Sequence, residues 1–173
     1  SSMGVPRADG YFGNCNLNNI KNFRTRCSAL IKFDDNNILI DTSPDLRSQL
    51  LKNKIRSINK VFYTHLHADQ THGINDLRPF YLTNKKQIPV FADDKTSKYL
   101  NSTFKYCFKS SYGYPSTLEL KNLKNKHIFK NKDKKLLIES IPTEHGKIES
   151  NCYLINKRLA YASDISLFYK KDY

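Results

Sequence analysis

Apolar positions recur along this chain with two different spacings, which predict strands in some segments and helices in others. Short β-rich or alternating runs predict strands at 27–33, 36–41, 61–64, 90–92, 136–141, 152–155 and 159–162. Leucines one helical turn apart predict a helix from Ser43-Pro44 to about Lys54, with Leu46, Leu50 and Leu51 facing inward. Further helices are predicted over 76–82 and 95–108. Strands and helices therefore alternate, and no internal repeat is visible.

The densest cluster of metal-ligating residue types follows the predicted strand 61–64. Residues 64–73 hold three of the five histidines, His65, His67 and His72, together with Asp69. In an extended chain, residues two apart project to one side, so His65, His67 and Asp69 can converge on one point. A site that mixes imidazole with carboxylate suits zinc, manganese or iron. We therefore predict a metal site; a polar surface turn is the alternative, although unpaired histidines rarely cluster so tightly.

This segment resembles the His-x-His-x-Asp-His signature of the metallo-β-lactamase superfamily of hydrolases. Four further motifs of that superfamily have counterparts in the same order, at 1–7, 38–47, 144–146 and 162–164. Within the superfamily, the chain is most similar to the branch that contains the phosphoribosyl 1,2-cyclic phosphate phosphodiesterase. The details that carry this similarity lie in three segments, 4–7, 24–28 and 73–78.

The resemblance implies a fold of the α/β class, a four-layer αβ/βα sandwich. We expect residues 1–173 to form a single hydrolase domain of this kind. Counterparts of the family's first strand and of its C-terminal part are not found in this sequence. We therefore expect the domain to be incomplete at both ends.

The resemblance also implies a ligand set and a reaction. One ion would be held by His65, His67 and His145, and a second by Asp69 and Asp164, with Asp164 bridging the two. Zn²⁺ or Mn²⁺ is expected, with one or two ions per chain. Hydrolysis would proceed through a metal-bound hydroxide, and Asp69 would orient or deprotonate the nucleophile.

One position departs from the family pattern. Gln70 stands where the signature has its last histidine, and an amide oxygen is a poor ligand for zinc. Either the second site takes a harder ion such as manganese, or the protein works with one metal; His72 is an alternative ligand if the turn allows. Asp41 is expected either to fix a ligand histidine by hydrogen bonding or simply to cap the end of its strand.

Two arginines are candidates for substrate binding. Arg7 lies in the loop that the resemblance places beside the metals. Arg78, with Asp76, could lie near the substrate phosphate, which its guanidinium fork matches, although an internal salt bridge that locks the loop is the favoured interpretation. His127 lies far from the motifs and is interpreted as a surface residue.

The net charge of +13 has two interpretations. The abundance of Lys and Asn is consistent with a coding bias, but a lysine-rich surface also steers a small phosphate-ester substrate toward the protein. Seven lysines fall within 121–135, where a solvated hairpin is favoured over an arm that grips nucleic acid. No apolar run is long enough for a membrane span and no charged, apolar leader is visible, so a cytoplasmic protein is expected. The four cysteines form no Cys-x-x-Cys pair, so neither a zinc knuckle nor a disulfide framework is expected. Relatives are often dimers, and the resemblance allows for a homodimer.

Three functions remain open at this point. The first is a metal-dependent phosphodiesterase that acts on a small cyclic phosphate or nucleotide-like ester. The second is an RNA-processing endonuclease of the transfer-RNA 3′-end type. The third is a non-catalytic module that binds metal or nucleic acid, which Gln70 and the positive charge favour.

Overall fold

The structure is a computed structural model that describes residues 2–169, and in these residues two five-stranded sheets pack face to face. The first sheet has its strands in chain order. Its first two strands form an antiparallel hairpin around Asp34-Asp35, and each later strand pairs in parallel with the one before. The strands are β1 (Ala29–Phe33), β2 (Asn36–Ile40), β3 (Lys60–Phe62), β4 (Ile88–Ala92) and β5 (Leu118–Asn122).

Helices connect the parallel strands, as parallel pairing requires. They are α1 (Leu46–Lys52), α2 (Ala68–Thr71), α3 (Arg78–Asn84), α4 (Asp94–Thr103) and α5 (Lys105–Phe108), with 3₁₀ turns at Ile20–Asn22 and Ile74–Leu77. Leu46 and Leu50 of α1 are buried against the sheet, in a core that also contains Leu100 of α4. Leu51 was predicted to face inward, but its side chain is 55% exposed. One residue beyond Leu50 is rotated about 100° around a helix, which turns Leu51 to solvent.

The second sheet is antiparallel and is built around one long hairpin. Its strands are β6 (Lys126–Asn131), β7 (Lys134–His145), β8 (Ile148–Ile155), β9 (Leu159–Tyr161) and β10 (Leu167–Phe168). The lysine-rich segment forms the predicted hairpin, since β6 pairs with the start of β7. A second core lies between the sheets, where the Tyr153 hydroxyl donates to the Tyr63 carbonyl at 2.5 Å. The sheets are therefore joined by apolar packing and by polar contacts near the metal motif.

Three layers lie in succession within residues 2–169: helices, first sheet, second sheet. This mixed arrangement confirms the predicted fold class. Among the described residues, no helix is both long enough and apolar enough to cross a bilayer.

The helix predicted over 95–108 is interrupted. At Phe104 the backbone leaves the helical region, with φ −117° and ψ 36°, and α5 begins one residue later. The Phe104 side chain is buried and packs edge-on against the His72 ring, with 5.3 Å between ring centroids. The helix predicted over 76–82 is a 3₁₀ turn followed by α3, and β5 was not predicted.

Candidate metal centre

The metal motif leaves the first sheet in an extended conformation and then turns into a short helix. β3 ends at Phe62, and His67 is still extended, with φ −61° and ψ 155°. Asp69 lies in the first turn of α2. The alternation predicted for this segment therefore holds for His65 and His67, whereas Asp69 lies in a helix and outside the group of three imidazoles.

A third imidazole comes from the second sheet. His145 is the last residue of β7, at the tip of the β7–β8 hairpin. The ligating atoms of His65, His67 and His145 all lie within 4.8 Å of one another, and the three ring centroids are 4.7 to 5.2 Å apart. The cluster of three imidazoles can hold one metal ion.

The protonation and spacing of these rings suit a metal. Burial, reinforced by the neighbouring His67 ring, lowers the pKa of His65 to about 4, so this imidazole is neutral near pH 7 and keeps a lone pair for a ligand. His65 Nε2 lies 3.1 Å from His67 Nδ1. In a tetrahedral zinc site with bonds of about 2.0–2.1 Å, ligating nitrogens lie about 3.3 Å apart. The spacing of His65 and His67 therefore suits two ligands of one divalent metal ion.

Two carboxylates lie beside the imidazoles and share a hydrogen-bond donor. The Gln70 amide nitrogen donates to Asp69 Oδ2 at 3.2 Å and to Asp164 Oδ2 at 3.3 Å. Asp164 Oδ2 is also 3.8 Å from His65 Nε2, and its side chain is 38% exposed. Asp164 therefore lies at the open side of the cluster, whereas Asp69 and Gln70 are buried.

Asp41 acts on His65 through Thr64. The buried Asp41 carboxyl accepts hydrogen bonds from the Thr64 backbone N–H at 2.8 Å and from its hydroxyl at 2.9 Å. Thr64 Oγ1 lies 3.0 Å from His65 Nδ1, so it can accept the proton of that nitrogen and direct Nε2 toward the cluster. Burial raises the pKa of Asp41 to about 8, although both Thr64 donors oppose this shift.

The remaining predicted site residues lie elsewhere. His72 is exposed and its ring packs on Phe104, outside the imidazole cluster. Arg7 pairs with Asp9 and lies over the Tyr11 ring. The internal salt bridge favoured for Arg78 is wrong among the described residues: the Arg78 guanidinium instead lies over the Tyr114 ring, 4.1 Å from its centroid.

His127 is less exposed than a surface residue was expected to be. It packs edge-on against Phe62 and Phe91 and accepts a hydrogen bond from the Lys124 backbone N–H. Burial beside these rings lowers its pKa. It takes no part in the imidazole cluster.

Two contacts at the centre were not predicted from the sequence. Thr64 connects Asp41 to His65, and its position directly before the first histidine of the motif was the available signal. The Cys27 thiol lies 3.4 Å from both the oxygen and the nitrogen of the Gln70 amide. Cys27 belongs to the segment 24–28 that carried part of the resemblance, but its spacing from the other cysteines gave no sign of a role.

A family model described as the beta-lactamase superfamily domain matches residues 36–171, which include every histidine of the cluster. The chain belongs to this superfamily. A solved member titled as a new diphosphatase of the PhnP family has 29% sequence identity and a TM-score of 0.72, with 90% of this chain and 58% of that one covered.

Two curated relatives are similar over a shorter share of their own length. An octanoyltransferase of Porphyromonas gingivalis is 32% identical over 168 residues, which cover 95% of this chain and 33% of that protein. A ribonuclease Z of Prochlorococcus marinus is 31% identical over 136 residues, which cover 74% of this chain and 39% of that protein. The chain therefore spans between a third and two fifths of these relatives.

Proposed function

We propose that this chain is a metal-dependent phosphodiesterase that acts on a small cyclic phosphate or a nucleotide-like ester. The observation that carries the proposal is the cluster of three imidazoles, with Asp164 3.8 Å from His65 and Asp69 joined to Asp164 through the Gln70 amide. The diphosphatase of the PhnP family, at 29% identity, supports a phosphate-containing compound as the substrate class.

Each part of the centre has a role in this proposal. His65, His67 and His145 would hold a zinc or manganese ion, with Asp164 at its open side. When bound, such an ion acts as a Lewis acid toward a phosphoryl oxygen and lowers the pKa of a water molecule from 15.7 to about 7. The chain's own groups then orient the reactants around the ion.

Asp69 is the candidate proton acceptor. Only one of its carboxylate oxygens, Oδ2, accepts a hydrogen bond from the described residues, and that bond comes from Gln70. The other oxygen can accept a proton from the attacking water, because Asp69 is held in the first turn of α2 beside the cluster. Thr64 and Asp41 keep His65 in the tautomer that turns Nε2 toward the same space.

Arg7 and Arg78 remain proposals as substrate contacts. Arg7 is half-exposed and paired with an exposed partner, so a phosphate could compete for its guanidinium. Arg78 is less available, since it lies over the Tyr114 ring and its Nε is buried without a hydrogen bond.

The test is hydrolysis of bis(p-nitrophenyl) phosphate, and then of a ribose 1,2-cyclic phosphate, by the chain loaded with zinc or manganese. We expect turnover that His67→Ala abolishes. His72→Ala is the matched control, because it removes a nearby imidazole that lies outside the cluster, and it should keep wild-type turnover. Turnover that survives in His67→Ala, or no turnover with any phosphodiester, contradicts the proposal.

An RNA-processing endonuclease is the second candidate. The ribonuclease Z of Prochlorococcus marinus favours it at 31% identity, and so does the positive charge of the chain. Cleavage of a precursor transfer RNA at enzyme concentrations that leave bis(p-nitrophenyl) phosphate intact would favour this function over the first. A chain that binds metal but cleaves neither substrate class would instead be a non-catalytic binding module.

A further inference from the structure

The amide nitrogen of Gln70 lies between Asp69 and Asp164, the two carboxylates that the resemblance assigns to a second metal ion. We propose that this side chain replaces the second ion, so that the centre holds a single metal in the three-imidazole site. The inference rests on the proposed function and specifies its metal content. It follows from the donor set, which fits one ion and does not fit two.

The first argument is the geometry around that nitrogen. It is surrounded by two carboxylate oxygens and one sulfur, from Asp69 at 3.2 Å, Asp164 at 3.3 Å and Cys27 at 3.4 Å. These three acceptors are held around an N–H₂ group, and among the described residues only the three imidazoles come close enough together to hold an ion. The opposite orientation of the amide would direct its oxygen at two carboxylate oxygens, which is unfavourable without a cation between them.

The second argument is that Gln70 is firmly held. Its side chain is fully buried and its amide oxygen accepts from the Cys27 thiol at 3.4 Å, while its backbone carbonyl accepts a hydrogen bond from the Thr42 N–H at 2.7 Å. Its own N–H donates to the His67 carbonyl at 3.0 Å. A second ion would have to displace the amide and leave its nitrogen without acceptors inside the protein, which is costly for a buried polar group.

The third argument is the charge and chemistry of the donors. The imidazoles are neutral ligands, so Asp69 and Asp164 supply the negative charge, and two carboxylates balance one divalent ion. Replacing the last histidine of the signature by Gln70 removes a nitrogen ligand and adds an N–H donor, which repels a cation. The centre is thus complete with one ion and one amide.

The experiment measures metal per chain by elemental analysis after dialysis against zinc and, separately, against manganese. We expect one equivalent in the wild-type protein with either metal. Gln70→His should raise the content to two, because it restores a nitrogen ligand beside both carboxylates. Gln70→Glu is a second variant of nearly the same shape, and it should take up a second manganese ion.

Gln87→His is the matched control, since Gln87 bonds to Ser116 far from the cluster, and it should keep one equivalent. Circular dichroism identifies any variant that does not fold, and the wild-type stoichiometry stands independently of the variants. Two equivalents in the wild type overturn this inference and leave the proposed function standing. No bound metal overturns both, and a folded Gln70→Glu variant that stays at one equivalent overturns the role given to the amide.

Discussion

Replacing Thr64 by valine tests whether the contact from Asp41 through Thr64 to His65 orients the ligand imidazole. Valine has nearly the same shape as threonine but lacks the hydroxyl. The substitution removes the 2.9 Å hydrogen bond to Asp41 and the 3.0 Å partner of His65 Nδ1, and it leaves the backbone donor to Asp41 in place. His65 Nδ1 would keep the more distant Ser150 hydroxyl, at 3.4 Å.

Two effects of this substitution can be estimated. An unsatisfied buried hydrogen-bonding group costs about 1–3 kcal/mol, so the free energy of unfolding of the metal-free protein should fall by about that amount. Loss of the group that orients a ligand histidine typically weakens metal binding by about 10–100-fold. Because Asp41 and His65 are both buried, water cannot readily replace the missing hydroxyl.

The assay is zinc affinity by competition with a chromogenic chelator, alongside urea denaturation of the metal-free protein. Thr64→Ser keeps the hydroxyl and should retain wild-type affinity. Thr96→Val is the matched control, because the buried Thr96 hydroxyl donates to Asp93 at 2.8 Å but contacts no histidine. This control should lose stability and keep its zinc affinity.

One result would refute the reasoning. If Thr64→Val is destabilised like Thr96→Val but binds zinc as tightly as the wild type, the hydroxyl has only a structural role. The contact from Asp41 to His65 would then have no influence on the metal.

Three further substitutions test other parts of the structure. Burial raises the pKa of Asp41 from 3.8 to about 8, so its contribution to the stability of the metal-free protein is present below pH 3.8 and lost as pH rises toward 8. As the pH rises from 5 to 8, the free energy of unfolding of Asp41→Asn, measured by urea denaturation, should therefore increase relative to that of the wild type. A constant difference between the two proteins over this pH range would contradict the expectation. Gly73→Ala would place a Cβ 2.0 Å from the Ser43 carbonyl oxygen, so we expect a loss of about 1–3 kcal/mol or more, seen as a lower Tm; an unchanged Tm would contradict the packing. Tyr114→Leu removes the ring below Arg78 and should lower the free energy of unfolding, measured by urea denaturation, by about 0.5–2 kcal/mol. Tyr114→Phe keeps a ring and should retain the wild-type value. Equal losses in the two variants would exclude the cation–ring contact.

The sequence was sufficient to predict the local parts of the centre. The apolar run before His65 predicted the strand that precedes the metal motif. The spacing of two residues between His65 and His67 predicted that their side chains face the same way. Both predictions depend on neighbours in the chain, whose geometry is set by the period of a strand. His145 could be proposed only by resemblance, since no local pattern shows that a twelve-residue strand from Lys134 brings it to the same point.

The contacts that depend on tertiary packing could not be predicted. Arg78 was expected to form an internal salt bridge, but it packs on Tyr114 from a distant turn. Cys27 reaches Gln70 across 43 residues, and nothing in the spacing of the cysteines marks that contact. Such pairs form because the sheet brings separate connections to the same edge, and a pattern along the chain does not record which connections meet.

The three imidazoles are divided between the two sheets, which gives any shared ligand a mechanical role. His65 and His67 follow β3 of the first sheet, whereas His145 ends β7 of the second. An ion bound to all three is a cross-link between the sheets, and at 100 times its Kd it adds about 2.7 kcal/mol to the free energy of unfolding. Removal of the ion by a chelator would then separate the two sheets first at the tip of the β7–β8 hairpin. The parallel strands would stay protected beneath their helices. Amide hydrogen exchange in this hairpin would therefore report whether the ion is bound.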